Sequence, residues 1–212
     1  MTVGLYAVIS LANIVLARSY LSALDDWERG TGSFDQLVAA EADHLSTAPL
    51  EMLLLLLAGL STVIWFYRAT KNTETLGLAR LDHTPKWAIW GWVVPILSLF
   101  RPYQMMSQTW AASTSPTGTI YPTPRVQPWW WGLFLAGLVL DRIVTGATRT
   151  EWTPDNARVM LHVGSAAATA DIIAAALFIT LVRALTQRQL ATIDELERPP
   201  GIPTPEPAPR DQ

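Results

Sequence analysis

The chain alternates between long apolar stretches with little charge and shorter polar segments. Four apolar windows, at about residues 3–24, 49–67, 129–147 and 157–185, are long enough to cross a membrane as helices. A helix rises about 1.5 Å per residue, so about 20 apolar residues cross a hydrocarbon core of about 30 Å. The pattern therefore predicts an all-α fold, an integral membrane bundle of four transmembrane helices.

The apolar window between the second and third spans is broken. Pro95 interrupts residues 87–100, and a proline inside a helical pattern ends or kinks the helix. A helix that begins at Pro85 and stops before Pro95 reaches about 15 Å, which is about half of the hydrocarbon core. We therefore predict a re-entrant or interfacial broken segment over residues 85–112 instead of a further span.

The polar segments add two further elements. Ser33 and Gln36 have the spacing of a capping box, which predicts a short amphipathic helix over residues 33–46 on the outer surface of the membrane. Residues 191–212 are rich in proline and are predicted to form a disordered cytoplasmic tail. Residues 1–190 are then a single membrane domain.

The distribution of arginine and lysine predicts the orientation. If the broken segment returns to the side from which it came, ten of the 15 basic residues lie on the side of the 68–127 loop and the tail. Only Arg29, Arg149 and Arg158 lie on the other side. Because an excess of positive charge marks the cytoplasmic side, both termini are predicted to be cytoplasmic and residues 25–47 external. If the segment crosses fully, the basic residues divide about equally and give no orientation.

Composition restricts the chemistry without identifying it. Hydrophobic residues make up 50% of the chain and charged residues 16%, against about 25% charged in soluble domains. The net charge of −3 gives no basis for nucleic-acid binding. The absence of cysteine removes disulfides and thiolate chemistry, and His44, His83 and His162 stand in separate segments without metal-ligand spacing. We therefore assign no catalytic residue, metal or cofactor and expect a non-enzymatic protein.

Ionisable residues inside the apolar windows are the first candidate site, because each costs about 3 kcal/mol or more at the bilayer centre. Asp171 stands near the middle of the fourth span, and Asp141 and Arg142 stand in the third. Asp171 is either part of a proton, ion or ligand site or a structural group paired with Arg142 or with a neighbouring backbone. Arg18 in the first span either pairs with Asp141 or reaches the headgroups. Gly137, one turn before Asp141, predicts close helix packing beside these groups.

The broken segment is the second candidate site. Pro95 frees backbone carbonyl groups, and Trp90 and Trp92 are placed to line a pocket beside it. Arg101, at the end of the apolar window, is the candidate contact for an anionic lipid headgroup. The alternative is a packed plug that fills the cytoplasmic side of a small bundle.

A motif spans the end of the second window and the broken segment. It comprises Trp65-Phe66-Tyr67-Arg68-Ala69-x-Lys71-Asn72, then Thr84-Pro-Lys-Trp-Ala-Ile-Trp-Gly-Trp-Val-Val-Pro95 and Arg101-Pro102-Tyr103-Gln104, with Trp110 beyond. Over about residues 62–113 the chain resembles the membrane family known as domain of unknown function 4328, although Phe100 and Ser98 stand where that family often has Trp and Asn. The resemblance implies a multi-pass protein of the bacterial inner membrane and carries over no activity, cofactor or catalytic residue.

These features predict an accessory or scaffolding subunit of a larger bacterial membrane complex. The small size, the tryptophan-rich flanks, the small-residue faces and the lack of a convergent site favour this role. The expected partners are membrane lipids and either a larger membrane protein complex or further copies of the chain. The alternative is a protein that binds or transports a small ligand, lipid or ion through Asp171, Asp141 and Arg142.

Overall fold

The computed structural model describes residues 2–75, 83–113, 123–147 and 152–197, and within these ranges it contains helices and no strands. In chain order the helices are α1 (Thr2–Glu28), α2 (Phe34–Ser46), α3 (Ala48–Thr75), α4 (Trp87–Val93), α5 (Arg101–Ala112), α6 (Val126–Ala147) and α7 (Pro154–Glu197), with a 3₁₀ turn (Leu97–Leu99) between α4 and α5. Four helical stretches in these ranges are long and apolar enough to cross a membrane: α1, α2 together with α3, α6, and α7. The predicted all-α fold with four such stretches is confirmed.

The last helix, α7, is much longer than a membrane requires. Its 44 residues extend about 66 Å, roughly twice the hydrocarbon core. Pro154 occupies the first turn, and the Asn156 N–H donates to the Thr153 hydroxyl at 3.2 Å. The helix continues to Glu197, beyond residue 190 where the sequence predicts the membrane domain to end. The rest of the predicted tail, residues 198–212, lies outside the described residues.

The short helix α2 covers one end of the bundle. The Gln36 N–H donates to the Ser33 hydroxyl at 3.2 Å, and the Ser33 N–H donates to the Gln36 side-chain oxygen at 2.9 Å. The two residues therefore form a capping box, and α2 starts at the next residue, Phe34. The buried cluster at this end, which we call the α2 end, consists of Ala17, Tyr20, Leu24, Leu37, Ala157 and Leu161.

The opposite end of the bundle is packed with aromatic rings. Trp130 stacks on Phe178 with ring centroids 5.3 Å apart, and Trp92 of α4 meets Phe66 and Phe134 edge-on at 6.4 and 5.9 Å. Since α3 ends here and α6 begins here, the broken segment starts and finishes at the same end of the bundle. This cluster, which we call the aromatic end, includes Phe66, Ala69, Ala88, Met105, Met106, Trp110, Trp130, Trp131, Phe178, Leu181 and Leu185.

Buried amide side chains hold the aromatic end together. Gln189, on the extended part of α7, donates to the Ala69 carbonyl at 2.8 Å and to the Ser113 hydroxyl at 3.1 Å. Gln127, at the start of α6, donates to the Tyr103 carbonyl at 3.0 Å. Because buried polar groups are costly unless they are hydrogen-bonded, these bonds fix α5 against α3, α6 and α7.

The packing of the long helices leaves a gap on one side of the bundle. α7 packs along both α6 and α1, and α1 packs in turn on α2 and α3. Within the described ranges, α3 makes only a small contact with α7 and no comparable contact with α6. The helices α3 and α6 are therefore the two walls of a cleft whose back is formed by α1 and α7.

Candidate functional site

The cleft between α3 and α6 encloses about 330 Å³, which lies in the range of small-molecule sites, roughly 300–1,000 Å³. Its walls are apolar, and the charged side chains that line it are Asp141 and Asp171. Trp92, Trp130 and Phe178 close it at the aromatic end. The lining residues are Val3 and Tyr6 of α1; Leu55, Ala58, Gly59, Thr62 and Val63 of α3; Trp92 of α4; Trp130, Phe134, Leu138 and Asp141 of α6; and Asp171, Ala174, Ala175 and Phe178 of α7.

The carboxylate of Asp171 is part of the cleft wall and contacts both α1 and α6. The Tyr6 hydroxyl donates to Asp171 Oδ2 at 3.0 Å, across 165 residues of sequence. Gly137 of α6 lies against the same carboxylate: a β-carbon at this position would collide with Oδ1 and lie 3.2 Å from Cγ. Glycine is therefore what allows α6 to pack directly on the carboxylate of α7, as small residues do in membrane helix packing.

A second cavity of about 300 Å³ lies on the α2 side of Asp171. Its lining is more polar than that of the cleft, and the two cavities share Tyr6, Asp141 and Asp171. The residues that line it are Tyr6, Asn13, Ala17 and Tyr20 of α1; Glu41, His44 and Leu45 of α2; Glu51 of α3; Asp141 and Val144 of α6; Trp152; and Ala157, Met160, Leu161, Gly164, Ser165, Ala168 and Asp171 of α7.

Glu51 is the third carboxylate of this region. The Asn13 side-chain amide donates to Glu51 Oε2 at 3.0 Å. The Ser10 hydroxyl lies 3.4 Å from Glu51 Oε1 and 3.0 Å from the Tyr6 carbonyl, so it is placed to donate to either oxygen. Glu51 is therefore held by neutral donors from α1, on the same face of that helix as Tyr6.

No ion pair in the described part of the chain includes Asp171, Asp141 or Glu51. The cross-helix pairs of the described residues lie at the α2 end, where Arg158 binds Asp25 at 2.7 Å and also binds Glu28. The same part of the chain contains no group of three or more His, Asp or Glu residues placed to hold a metal ion. Asp171 and Glu51 are thus held by neutral hydrogen-bond donors and not by ion pairs.

The two arginines considered as partners for these carboxylates point elsewhere. Arg142 is exposed and lines neither cavity, and Arg18 is also exposed and outside both. The structure gives Asp171 a different partner, Tyr6, in place of the considered pair with Arg142. Consecutive helical residues are about 100° apart around the axis, which explains why Asp141 faces the cavities while Arg142 does not.

The broken segment contributes one residue to the cleft. Trp92 lines it, whereas Trp90 is 56% exposed and lines neither cavity. The Arg101 guanidinium packs over the Trp87 ring at 5.1 Å and is bonded to His83, so it belongs to the aromatic end and not to the cleft. The geometry contains elements of both interpretations of this segment. Trp92 is part of a pocket wall, and Arg101 packs within the aromatic end, as in a plug.

The sequence pattern did not identify three polar residues that line the cavities: Tyr6, Asn13 and Glu51. The signal for the first two was present, because Tyr6, Ser10 and Asn13 recur at helical spacing in an otherwise apolar window. Glu51 stands in the first turn of α3, where an acidic residue is ordinarily explained by the helix dipole. The contact of Glu51 with α1 depends on how the two helices are aligned.

The fold and this region define a small helical membrane protein with two cavities that share the Asp171 carboxylate. The chain belongs to the family described as Domain of unknown function (DUF4328), which matches residues 29–187. The match covers α2 to α6 and most of α7. Neither the curated proteins nor the solved structures contain a match to this chain.

Proposed function

We propose that the protein is a non-enzymatic membrane protein that binds an amphipathic cation. The apolar body of the ligand lies in the cleft between α3 and α6, and its positive group binds Asp171. The observation that carries this proposal is the position of Asp171, a carboxylate without a cationic partner among the described residues, beside an apolar cleft.

The energetics favour a cationic ligand. A carboxylate at membrane depth is costly, and such residues usually face a bundle interior or cavity and have a partner. The Tyr6 hydroxyl supplies one neutral hydrogen bond, which offsets part of that cost. A ligand ammonium group adds a charge-assisted bond in a region of low dielectric, where such bonds are stronger than in water.

The lining of the cleft also excludes other ligand classes. No lysine or arginine of the described residues lines it, whereas Asp141 and Asp171 do, so an anionic ligand is repelled.

Ligand binding in the cleft is tested with a probe compound and with a substitution that occupies the cleft. Decylammonium is the probe, and thermal unfolding of the detergent-purified protein is the readout. A ligand that binds only the folded state stabilises it by about 2.7 kcal/mol at 100 times its Kd. Gly59 lines the cleft, and a β-carbon added at this position would have no neighbouring atom within 4 Å. Gly59→Phe therefore introduces a ring at the cleft wall with no clash at its β-carbon, and we expect it to abolish the stabilisation.

The matched control is Gly132→Phe. Gly132 is also free of neighbours within 4 Å, but it faces outward from α6 and does not line the cleft. We expect this variant to keep the full decylammonium stabilisation. Equal stabilisation of the two variants would show that the alkylammonium binds elsewhere, and the proposal would be abandoned.

An accessory role in a larger complex is the second candidate, and one observation favours it. Gly132, Ala136 and Gly146 are exposed along one side of α6, and such small residues allow a partner helix to approach closely. The variants Gly59→Phe and Gly132→Phe distinguish a ligand-binding role from an accessory role. In an accessory subunit, Gly132→Phe loses a co-purifying membrane protein that Gly59→Phe retains; if neither variant changes the co-purifying proteins, this role is unsupported.

The proposed location is the bacterial inner membrane, with both termini in the cytoplasm and the segment from Pro85 to Ala112 entering the membrane from that side. Two observations support this placement. The broken segment begins and finishes at the aromatic end, and basic residues are concentrated in the segments at that end. On this placement α2 lies on the outer surface.

A further inference from the structure

The second cavity is elongated and has a more polar lining than the cleft. Its wall on α7 runs from Ala157 to Asp171, a distance of about 21 Å along the helix. It begins beside Glu41 and His44 of α2 and ends at the hydrogen-bonded pair of Tyr6 and Asp171. The cavity therefore runs from the α2 end to the residues that it shares with the cleft.

The ionisable side chains that line this space are mostly acidic. Glu41 of α2, Glu51 of α3, Asp141 of α6 and Asp171 of α7 line it, and no lysine or arginine of the described residues does. His44 is the remaining titratable group apart from Tyr6 and Tyr20, and its Nδ1 atom is buried with no hydrogen-bond partner among the described residues. A concave surface of one charge sign concentrates counter-ions, by about tenfold or more.

The carboxylates also require a polar environment. Glu51, Asp141 and Asp171 have no ion-pair partner among the described residues. Ionisable residues inside membranes either pair with one another or face a water-filled cavity. A cavity of about 300 Å³ has room for several water molecules, each of which needs two to four polar neighbours. The side chains of Asn13, Glu51, Tyr6 and Asp171 provide them.

We infer that the second cavity is a water-filled, cation-selective vestibule through which small cations reach Asp171 from the α2 end. The vestibule shares Tyr6, Asp141 and Asp171 with the cleft, but access of small cations from the α2 end does not depend on the apolar walls of the cleft. This inference therefore goes beyond the proposed function and holds whether or not the cleft binds an alkylammonium ion. It assigns Glu51 and Asp141 the role of concentrating cations on the way to Asp171.

The absence of cysteine from the chain makes the vestibule directly testable with single cysteines. Ala168 lines the cavity, whereas Ala166 is exposed on the outer face of α7 and does not line it. The two positions differ in depth by about 3 Å, so Ala168→Cys and Ala166→Cys are matched in size and depth. Both are treated in lipid vesicles with a cationic and with an anionic methanethiosulfonate, and Ala42→Cys on the exposed surface of α2 identifies the side of addition.

The expected result has three parts. From the side that modifies Ala42→Cys, the cationic reagent modifies Ala168→Cys at least about tenfold faster than Ala166→Cys. The anionic reagent shows no such preference. Adding Glu51→Gln to Ala168→Cys lowers the ratio of cationic to anionic rates, and Asp141→Asn does the same as an independent second variant.

Two results overturn the inference. A rate at Ala168→Cys as slow as at Ala166→Cys, and far below that of Ala42→Cys, shows that the cavity is dry. Equal rates for the two reagents at Ala168→Cys show that it does not select cations. Decylammonium plays no part in this measurement, so its outcome is independent of whether the cleft binds a ligand.

Discussion

Asp171→Asn is expected to weaken decylammonium binding about 10- to 100-fold. A hydrogen bond to a charged group contributes about 1.5–3 kcal/mol, and each 1.4 kcal/mol corresponds to about a factor of ten in affinity. Asparagine has nearly the same shape as aspartate, and its side-chain oxygen still accepts a hydrogen bond from the Tyr6 hydroxyl. The variant therefore removes the charge and keeps the packing against Gly137. Binding is measured by titration followed through tryptophan fluorescence, since Trp92 and Trp130 line the cleft.

The control for this variant is an aspartate outside both cavities on the same helix. Asp155 has a side chain that is 95% exposed and lines neither cavity, so Asp155→Asn should bind decylammonium as the wild type does. Decanol, which lacks the charge, should bind wild type and Asp171→Asn with similar affinity. If Asp171→Asn binds decylammonium as tightly as wild type, the carboxylate is not the contact of the positive group.

Phe66→Ala is expected to destabilise the protein by about 3–5 kcal/mol, the usual cost of removing a buried phenylalanine ring. Phe66 is 1% exposed and contacts Trp65 of its own helix and Trp92 of α4 at centroid distances of 5.7 and 6.4 Å. Its loss leaves a cavity between α3 and the broken segment. For a chain of this length the expected decrease in Tm is roughly 10 °C, measured by thermal unfolding in detergent.

The matched position for Phe66 is Leu60, six residues earlier in α3 and 60% exposed. Because Leu60 faces outward, Leu60→Ala should change the Tm by only a few degrees. A decrease for Phe66→Ala no larger than that for Leu60→Ala would mean that the aromatic end is not the packed core of the protein.

Much of the fold is a local property of the sequence, which explains why it is predictable. The four helical stretches follow from the length of apolar windows, and the start of α2 follows from the spacing of Ser33 and Gln36. The family resemblance over residues 62–113 agrees with the match over residues 29–187. The end of α7 is harder to predict, since residues 186–197 are polar and remain helical by packing on α3 and α5 through Gln189.

The site is predictable only in part, because it depends on how helices are aligned with one another. Asp171 stands out in the sequence because a carboxylate in an apolar window is costly. Its contact with Tyr6 joins the first and last helices of the chain, and no local pattern specifies that alignment. The same reasoning applies to the side chain of Arg142. Its apolar window is recognisable in the sequence, but the direction of the side chain depends on the packing of α6 on α7.

The position of the ligand is best determined by photo-crosslinking. A decylammonium analogue with a diazirine near the end of its alkyl chain is irradiated with the purified protein, and the modified residues are identified by mass spectrometry. The proposed function predicts modification of the cleft walls, at residues 55–63 of α3 and 130–138 of α6, and competition by unlabelled decylammonium. Modification confined to outward-facing residues such as Val8 and Val139, without competition, would contradict it.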